Sequence, residues 1–138
     1  MVAFVKHQPF VENVSEKKID LSGTLKIVLS NAAPTATHGQ KSQITEISAG
    51  NGYSAGGPAV TVSSSSQTSG IYKLVCADVT ITASGGSIGP FRTATLYDDG
   101  ATNDELIGSW DYGSSITLAD GESITVDYDA TNGVLTLS

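Results

Sequence analysis

The sequence predicts an all-β fold, an antiparallel β-sandwich, and three observations carry that expectation. From Ser42 to Ser138, short runs rich in Val, Ile, Thr and Tyr recur roughly every ten residues. Gly, Ser, Asn and Asp separate the runs, and these residues supply positive φ or a side-chain acceptor to tight turns. Inside the runs apolar positions alternate with period two. No segment after Thr24 repeats apolar residues at helical spacing, which leaves no room for crossover helices.

The first 23 residues differ in character and read as an N-terminal arm preceding a β domain over residues 24–138. Pro9 fixes φ for a first helical turn, Phe10, Val11 and Val14 follow, and Glu12 early with Lys17-Lys18 late suits the helix dipole. A short helix is expected over residues 9–17. Thr24-Leu-Lys-Ile-Val-Leu-Ser30 is the first strong strand, with Leu25, Ile27 and Leu29 on one face and Asn31-Ala-Ala-Pro34 ending it. A long polar connection runs to about Gln40. Further strands are expected over residues 43–47, 59–63, 71–76, 78–83, 91–97, 106–110, 115–118, 122–128 and 134–137. In the last two, Ile124, Val126 and Tyr128 alternate with Thr125 and Asp127, and Asn132-Gly133 offers turn residues, so a hairpin is expected there. The Ser- and Gly-rich stretches 49–58 and 63–66 read as exposed loops.

At 138 residues the chain is long enough for one domain that buries roughly two thirds of its unfolded surface. The lone Cys76, in the apolar run Leu74-Val75-Cys76-Ala77, reads as a buried structural thiol. The opening residues have no apolar leader core, and no 18 uncharged apolar residues run together, so a soluble, unprocessed, intracellularly made protein is expected. Charge is split. Residues 1–41 hold five lysines against three acids, net +2, whereas the remainder holds Lys73 and Arg92 against eleven acids, net −9, giving −7 in all. An acidic body of this kind repels phosphate, which argues against nucleic-acid and membrane partners. The weakly basic arm suits docking on an acidic neighbour, with Phe4, Phe10 and Val11 as its apolar contacts and Lys17 and Lys18 tuning salt dependence.

The chemical motifs do not survive their context. Gly85-Gly86-Ser87-Ile88-Gly89 has the spacing of a nucleophile elbow, but Pro90 and a strand follow where a helix must begin, and both His7 and His38 lie upstream. Gly50-Asn-Gly-Tyr-Ser-Ala-Gly56 misses the dinucleotide fingerprint by one residue. His7, His38 and Cys76 lack zinc-ligand spacing. The loops 98–104 and 127–133 concentrate oxygen ligands as calcium sites do, yet out of register for an EF-hand and with the composition that turns require. No catalytic residue, cofactor or metal is therefore expected. Trp110 and Tyr112 share one face of a strand. Trp110 is expected in the core, the alternative being a sugar-stacking platform.

The succession Phe10-Val-Glu-Asn-Val, Thr24-Leu-Lys-Ile-Val-Leu-Ser-Asn-Ala-Ala-Pro34, Ile44-Thr-Glu-Ile-Ser-Ala-Gly-Asn-Gly-Tyr53, Ser87-Ile-Gly-Pro-Phe-Arg92, Leu106-Ile-Gly-Ser-Trp-Asp-Tyr112 and Leu118-Ala-Asp-Gly-Glu122 resembles a family of small structural proteins of tailed bacteriophages. The resemblance implies a non-enzymatic, jelly-roll-like capsid decoration (cement) protein on the outer head surface of the virion. Such a protein bridges capsomers and contacts the major capsid protein and copies of itself as a dimer or trimer. A tail-fibre or baseplate module that binds carbohydrate or a receptor is the alternative, and it requires Trp110, Tyr112, Tyr53 and Tyr97 to face solvent.

Overall fold

The computed structural model describes residues 3–138. Strands take 47% of the chain and helix 7%, so the all-β expectation holds. In chain order the elements are β1 (Ala3–Lys6), α1 (Phe10–Ser15), β2 (Leu25–Ser30), β3 (Ala59–Val60), β4 (Val62–Thr68), β5 (Ile71–Cys76), β6 (Val79–Thr82), β7 (Ile88–Asp98), β8 (Leu106–Leu118), β9 (Ser123–Val126) and β10 (Leu135–Leu137). They form a five-stranded sheet in the order β1-β8-β7-β2-β3, a three-stranded sheet β10-β5-β4, and a two-stranded pair β6-β9, and every pairing is antiparallel.

Alternation on β2 explains the main core. Leu25, Ile27 and Leu29 point to one side, where they meet Leu74 and Cys76 of β5, Val79 and Ile81 of β6, and Phe91 and Leu96 of β7. Val28 points the other way, into a smaller cluster with Tyr97 and Leu106 that Ile44 covers. β2 is thus apolar on both faces because the connection after Ser30 folds back over the outer one.

The pairing of the chain's second half with itself follows one hairpin-like course through three sheets. β7 and β8 pair from Tyr97↔Leu106 to Ile88↔Leu118, Ala83 bonds with Gly121 and Glu122, and β6 and β9 carry the ladder from Thr82↔Ser123 to Val79↔Val126. β5 and β10 resume it at Leu74↔Leu135. This ribbon corrects the hairpin expected between residues 122–128 and 134–137, because β9 pairs with β6 while β10 pairs with β5. The turn chemistry itself is present. Asp129 accepts from the amides of Thr131 and Asn132, and Gly133 N–H bonds back to Asp129 C=O, but the turn carries the chain from one small sheet to the other.

Three other expectations change. Residues 63–66 are strand, not loop, since β4 pairs with β5 through Thr68↔Ile71 and serine side chains fit an exposed sheet face. Residues 43–47 form no strand. The Gln43 side-chain oxygen accepts from the amides of Gly39 and Gln40, winding a 3-10 turn at Lys41–Gln43, and the single bridge Ser30↔Glu46 follows. The strands expected at 106–110 and 115–118 are one strand, β8, whose register shifts between Asp111 and Ile116.

The helix expected over residues 9–17 is found at Phe10–Ser15, following Pro9. Six residues make too few internal bonds to hold a helix in water, and burial of Phe10, 2% exposed, anchors it. Ile19 and Leu21 enter the same core. Residues 3–23, expected as an arm, therefore contribute an edge strand and three core residues to the domain; residues 1 and 2 of that arm lie outside the described residues.

Candidate functional site

The five residues expected to bind a partner do not form one patch. Phe10 is in the core. Val11, beside it, is exposed. Lys17 lines a groove with Val14, Tyr72 and Leu137, whereas Lys18 faces the surface around Gln40 and Glu105 and pairs with Glu16 at 2.8 Å. That exposed pair adds little to stability. Phe4 alone stands on an open sheet edge, 48% exposed.

Around Phe4 the sheet builds an aromatic ledge. The register Phe4↔Trp110↔Ala94↔Leu29 runs across four strands on one face, apolar throughout. Leu29 is covered by the core, while the row emerges toward β1. Trp110 is half-buried, with the Phe4 ring 5.1 Å away in a tilted pair and Tyr128 5.4 Å away edge-on. Gly108, opposite Lys6, leaves the space the Phe4 ring occupies, since a Cβ there would strike it. Trp110 therefore packs on the core with one side and forms the ledge with the other.

Beyond Trp110 a cleft of about 310 Å³ opens between the β7-β8 pair and β9, lined chiefly by Phe91, Trp110, Tyr112, Ile116, Ile124 and Val126. At its rim the Arg92 guanidinium grips Asp111 through two bonds, Nε at 2.7 Å and Nη2 at 2.9 Å. This pairing holds the Asp111 carboxyl below the usual carboxylate range and leaves the rim without an uncompensated charge at that point. Tyr112 stands at the mouth, 45% exposed. Of the four aromatics that a sugar platform would need, Tyr53 and Tyr97 are buried. The Tyr53 hydroxyl donates to Glu46 and accepts from Leu29 N–H, and that of Tyr97 donates to the Gly56 carbonyl.

A second polar cluster lies on the opposite face of the sheet. His7 Nε2 is 2.7 Å from Ser109 Oγ, which is 2.7 Å from Thr95 Oγ1, and Thr93 donates to the Ala32 carbonyl. His7 is 1% exposed, and among the described residues its Nδ1 has no hydrogen-bond partner. Burial pushes its pKa down, and the main-chain carbonyls of His38 and Thr35, on a shared cavity of about 160 Å³, offset only part of that shift. The spacing of His7 and Ser109 is that of a base and a nucleophile, but no carboxylate orients the imidazole and Ser109 is fully enclosed. The sequence carries no sign of this cluster, since 102 residues separate its two principal members.

The loops that concentrate oxygen ligands use them internally. Asp98 accepts from the amides of Asp20 and Gly100, and Asp129 from Thr131 and Asn132. Among the described residues no three His, Cys, Asp or Glu side chains converge as a metal site would require. Ser87 directly precedes β7 rather than a helix, its carbonyl held by the Asn51 side-chain amide. No helix is long and apolar enough to cross a membrane among the described residues. Comparison with family models, curated proteins and solved structures finds no match to this chain.

Proposed function

We propose that this chain is a non-enzymatic structural protein of a tailed-phage virion, a decoration protein that binds the outer head surface and bridges capsomers. Its partners are the major capsid protein and copies of itself, and it is made in the host cytoplasm before joining the capsid surface. The observation that carries this reading is the aromatic ledge of Phe4 and Trp110 on a sheet edge. Exposed apolar area fixed on rigid strands suits docking to another protein rather than turnover of a substrate. The sequence resemblance supports the same role, and the net −9 after residue 41 suits the outside of a shell rather than its DNA-lined interior. In this reading the all-β chain is a jelly-roll-like sandwich, and the antiparallel pairings of β7-β8, β6-β9 and β5-β10 support it.

The test is occupancy on particles. The purified chain, added to capsid shells stripped of accessory proteins, should bind in hundreds of copies per shell and appear in a cryo-EM map on the outer surface. A handful of copies confined to the tail would overturn the head assignment.

A second reading has one observation in its favour, the exposed Tyr112 at the mouth of the cleft beside Trp110 and the Arg92–Asp111 pair. In that reading the chain is a tail-fibre or baseplate module that binds carbohydrate or a receptor. Glycan-array binding lost on Tyr112→Ala would select it.

A further inference from the structure

We propose that the free edge of β1 is a self-pairing edge, through which two copies of this chain join antiparallel about Val5. The inference deepens the decoration reading by naming the surface through which copies meet. It starts from the direction of backbone groups. His7 N–H bonds to the carbonyl of Ile107, the residue directly opposite it when the β1-β8 register is continued. In an antiparallel ladder, bonded and non-bonded pairs alternate, so Val5 bonds with Ser109, while Phe4 and Lys6 direct both N–H and C=O away from β8. β8 is the sole strand beside β1 among the described residues. The edge therefore presents two donors and two acceptors that a strand satisfies.

The identity of that strand follows from the side chains. A twofold axis at Val5 sets Phe4 opposite Lys6 of the second copy and Lys6 opposite its Phe4, which makes four main-chain hydrogen bonds with every outward group used. Phe4 and Lys6 are two residues apart and share one face. Across the axis the aliphatic stem of each lysine lies along the other copy's Phe4, and its ammonium meets the ring. The match is reciprocal, as an isologous contact demands, and Phe4 is already seated against Trp110 and over Gly108, so little freedom is lost on pairing. Charge also favours this edge. Two bodies of −7 repel, but β1 carries Lys6 as its one charged side chain, and the nearest acid on β8, Asp111, is neutralised by Arg92. The contact is small, so a dissociation constant on the order of 0.1 mM is expected in free solution. On a lattice, repeated contacts multiply it.

The experiment uses the full chain. Sedimentation equilibrium from about 10 μM to 1 mM should give a monomer–dimer mixture, and hydrogen exchange by NMR should show the Phe4 and Lys6 amides slowing about fivefold with concentration while Val5 stays constant. Lys6→Pro removes an outward N–H without touching the β8 ladder and should abolish the dimer, as should Phe4→Arg, which keeps the backbone intact. A monomer at 1 mM, a dimer that persists in both variants, or Phe4 and Lys6 amides insensitive to concentration would overturn the proposal. Its failure is separable from that of the decoration role: a monomer that still coats shells refutes self-pairing alone, and a β1 dimer that ignores shells refutes decoration alone.

Discussion

His7 Nε2 lies 2.7 Å from Ser109 Oγ on the face of the five-stranded sheet away from the main core, and this bond pins the chain just after β1 to the first third of β8. The surrounding groups are hydroxyls, the Gln43 amide, main-chain carbonyls of Thr35 and His38, and the His38 imidazole; among the described residues no carboxylate lines the cavity. A protonated His7 would be a buried cation with no counter-charge.

Acid should therefore loosen the attachment of β1. The folded chain holds His7 neutral, with its pKa depressed by burial, while the unfolded chain takes up a proton near the ordinary value of 6.5. The unfolded state binds more protons in that interval, so His7's contribution is complete above about pH 6.5 and is lost as pH falls through the window below it. Thermal melts between pH 7.5 and 4.5 should show a falling midpoint, and His7→Gln, which retains hydrogen-bonding capacity toward Ser109 without titrating, should flatten that fall. An unchanged pH profile in the variant would remove His7 as the cause.

Trp110→Ala should cost about 2–3 kcal/mol, below the full penalty for a buried aromatic because one side of the indole is open to the cleft. Tyr112→Ala, at the exposed mouth, should stay within about 0.5 kcal/mol. Urea denaturation of the two variants separates these expectations. A Trp110→Ala protein as stable as its parent that had lost a glycan ligand would instead favour the sugar-binding reading.

Local patterning makes the positions of several strands legible in the sequence. β2 and β5 fall where alternation of Leu25, Ile27 and Leu29 and the run ending at Cys76 put them, because a strand buried on at least one face must write its period into the sequence. Pairing was not legible. Asn132-Gly133 favours a turn but cannot specify that the strand beyond it joins β5 rather than β9. The serines of β4 have too little side-chain volume to signal a strand, which exists because β5 offers it a ladder. Function fared likewise. Phe4 reads as an apolar residue of the first segment, but its packing on Trp110, and the bond of His7 to Ser109, depend on a register between chain segments about a hundred residues apart.

Cys76 should be inert in the folded protein. It is buried in the main core, and burial pushes its thiol up to about 11. At pH 8 that leaves roughly one thiolate in a thousand, before any steric barrier is counted. Reaction with a disulfide reagent should therefore be at least about a hundredfold slower than in urea-unfolded chain. Fast labelling of the native protein would mean that β5 opens readily.

Gly57→Ala should be among the most damaging single substitutions. Gly57 adopts φ +81°, and a Cβ there would collide with the carbonyl oxygen of Ile27, because the chain crosses β2 at backbone contact distance. That crossing seats two further bonds: Ile27 N–H donates to the Pro58 carbonyl at 3.1 Å, and the Tyr97 hydroxyl to that of Gly56 at 2.6 Å. Displacing the backbone would strip β3 from the sheet edge and uncover the Val28–Tyr97–Leu106 cluster. The expected loss exceeds about 3 kcal/mol. Gly121→Ala supplies the control, since Gly121 has a similar φ of +88° but open space around its Cβ position, and should cost about 1 kcal/mol from conformation alone. Denaturation midpoints of the pair measure the difference. Equal losses would mean that left-handed strain, not the close approach to β2, accounts for the glycine at position 57.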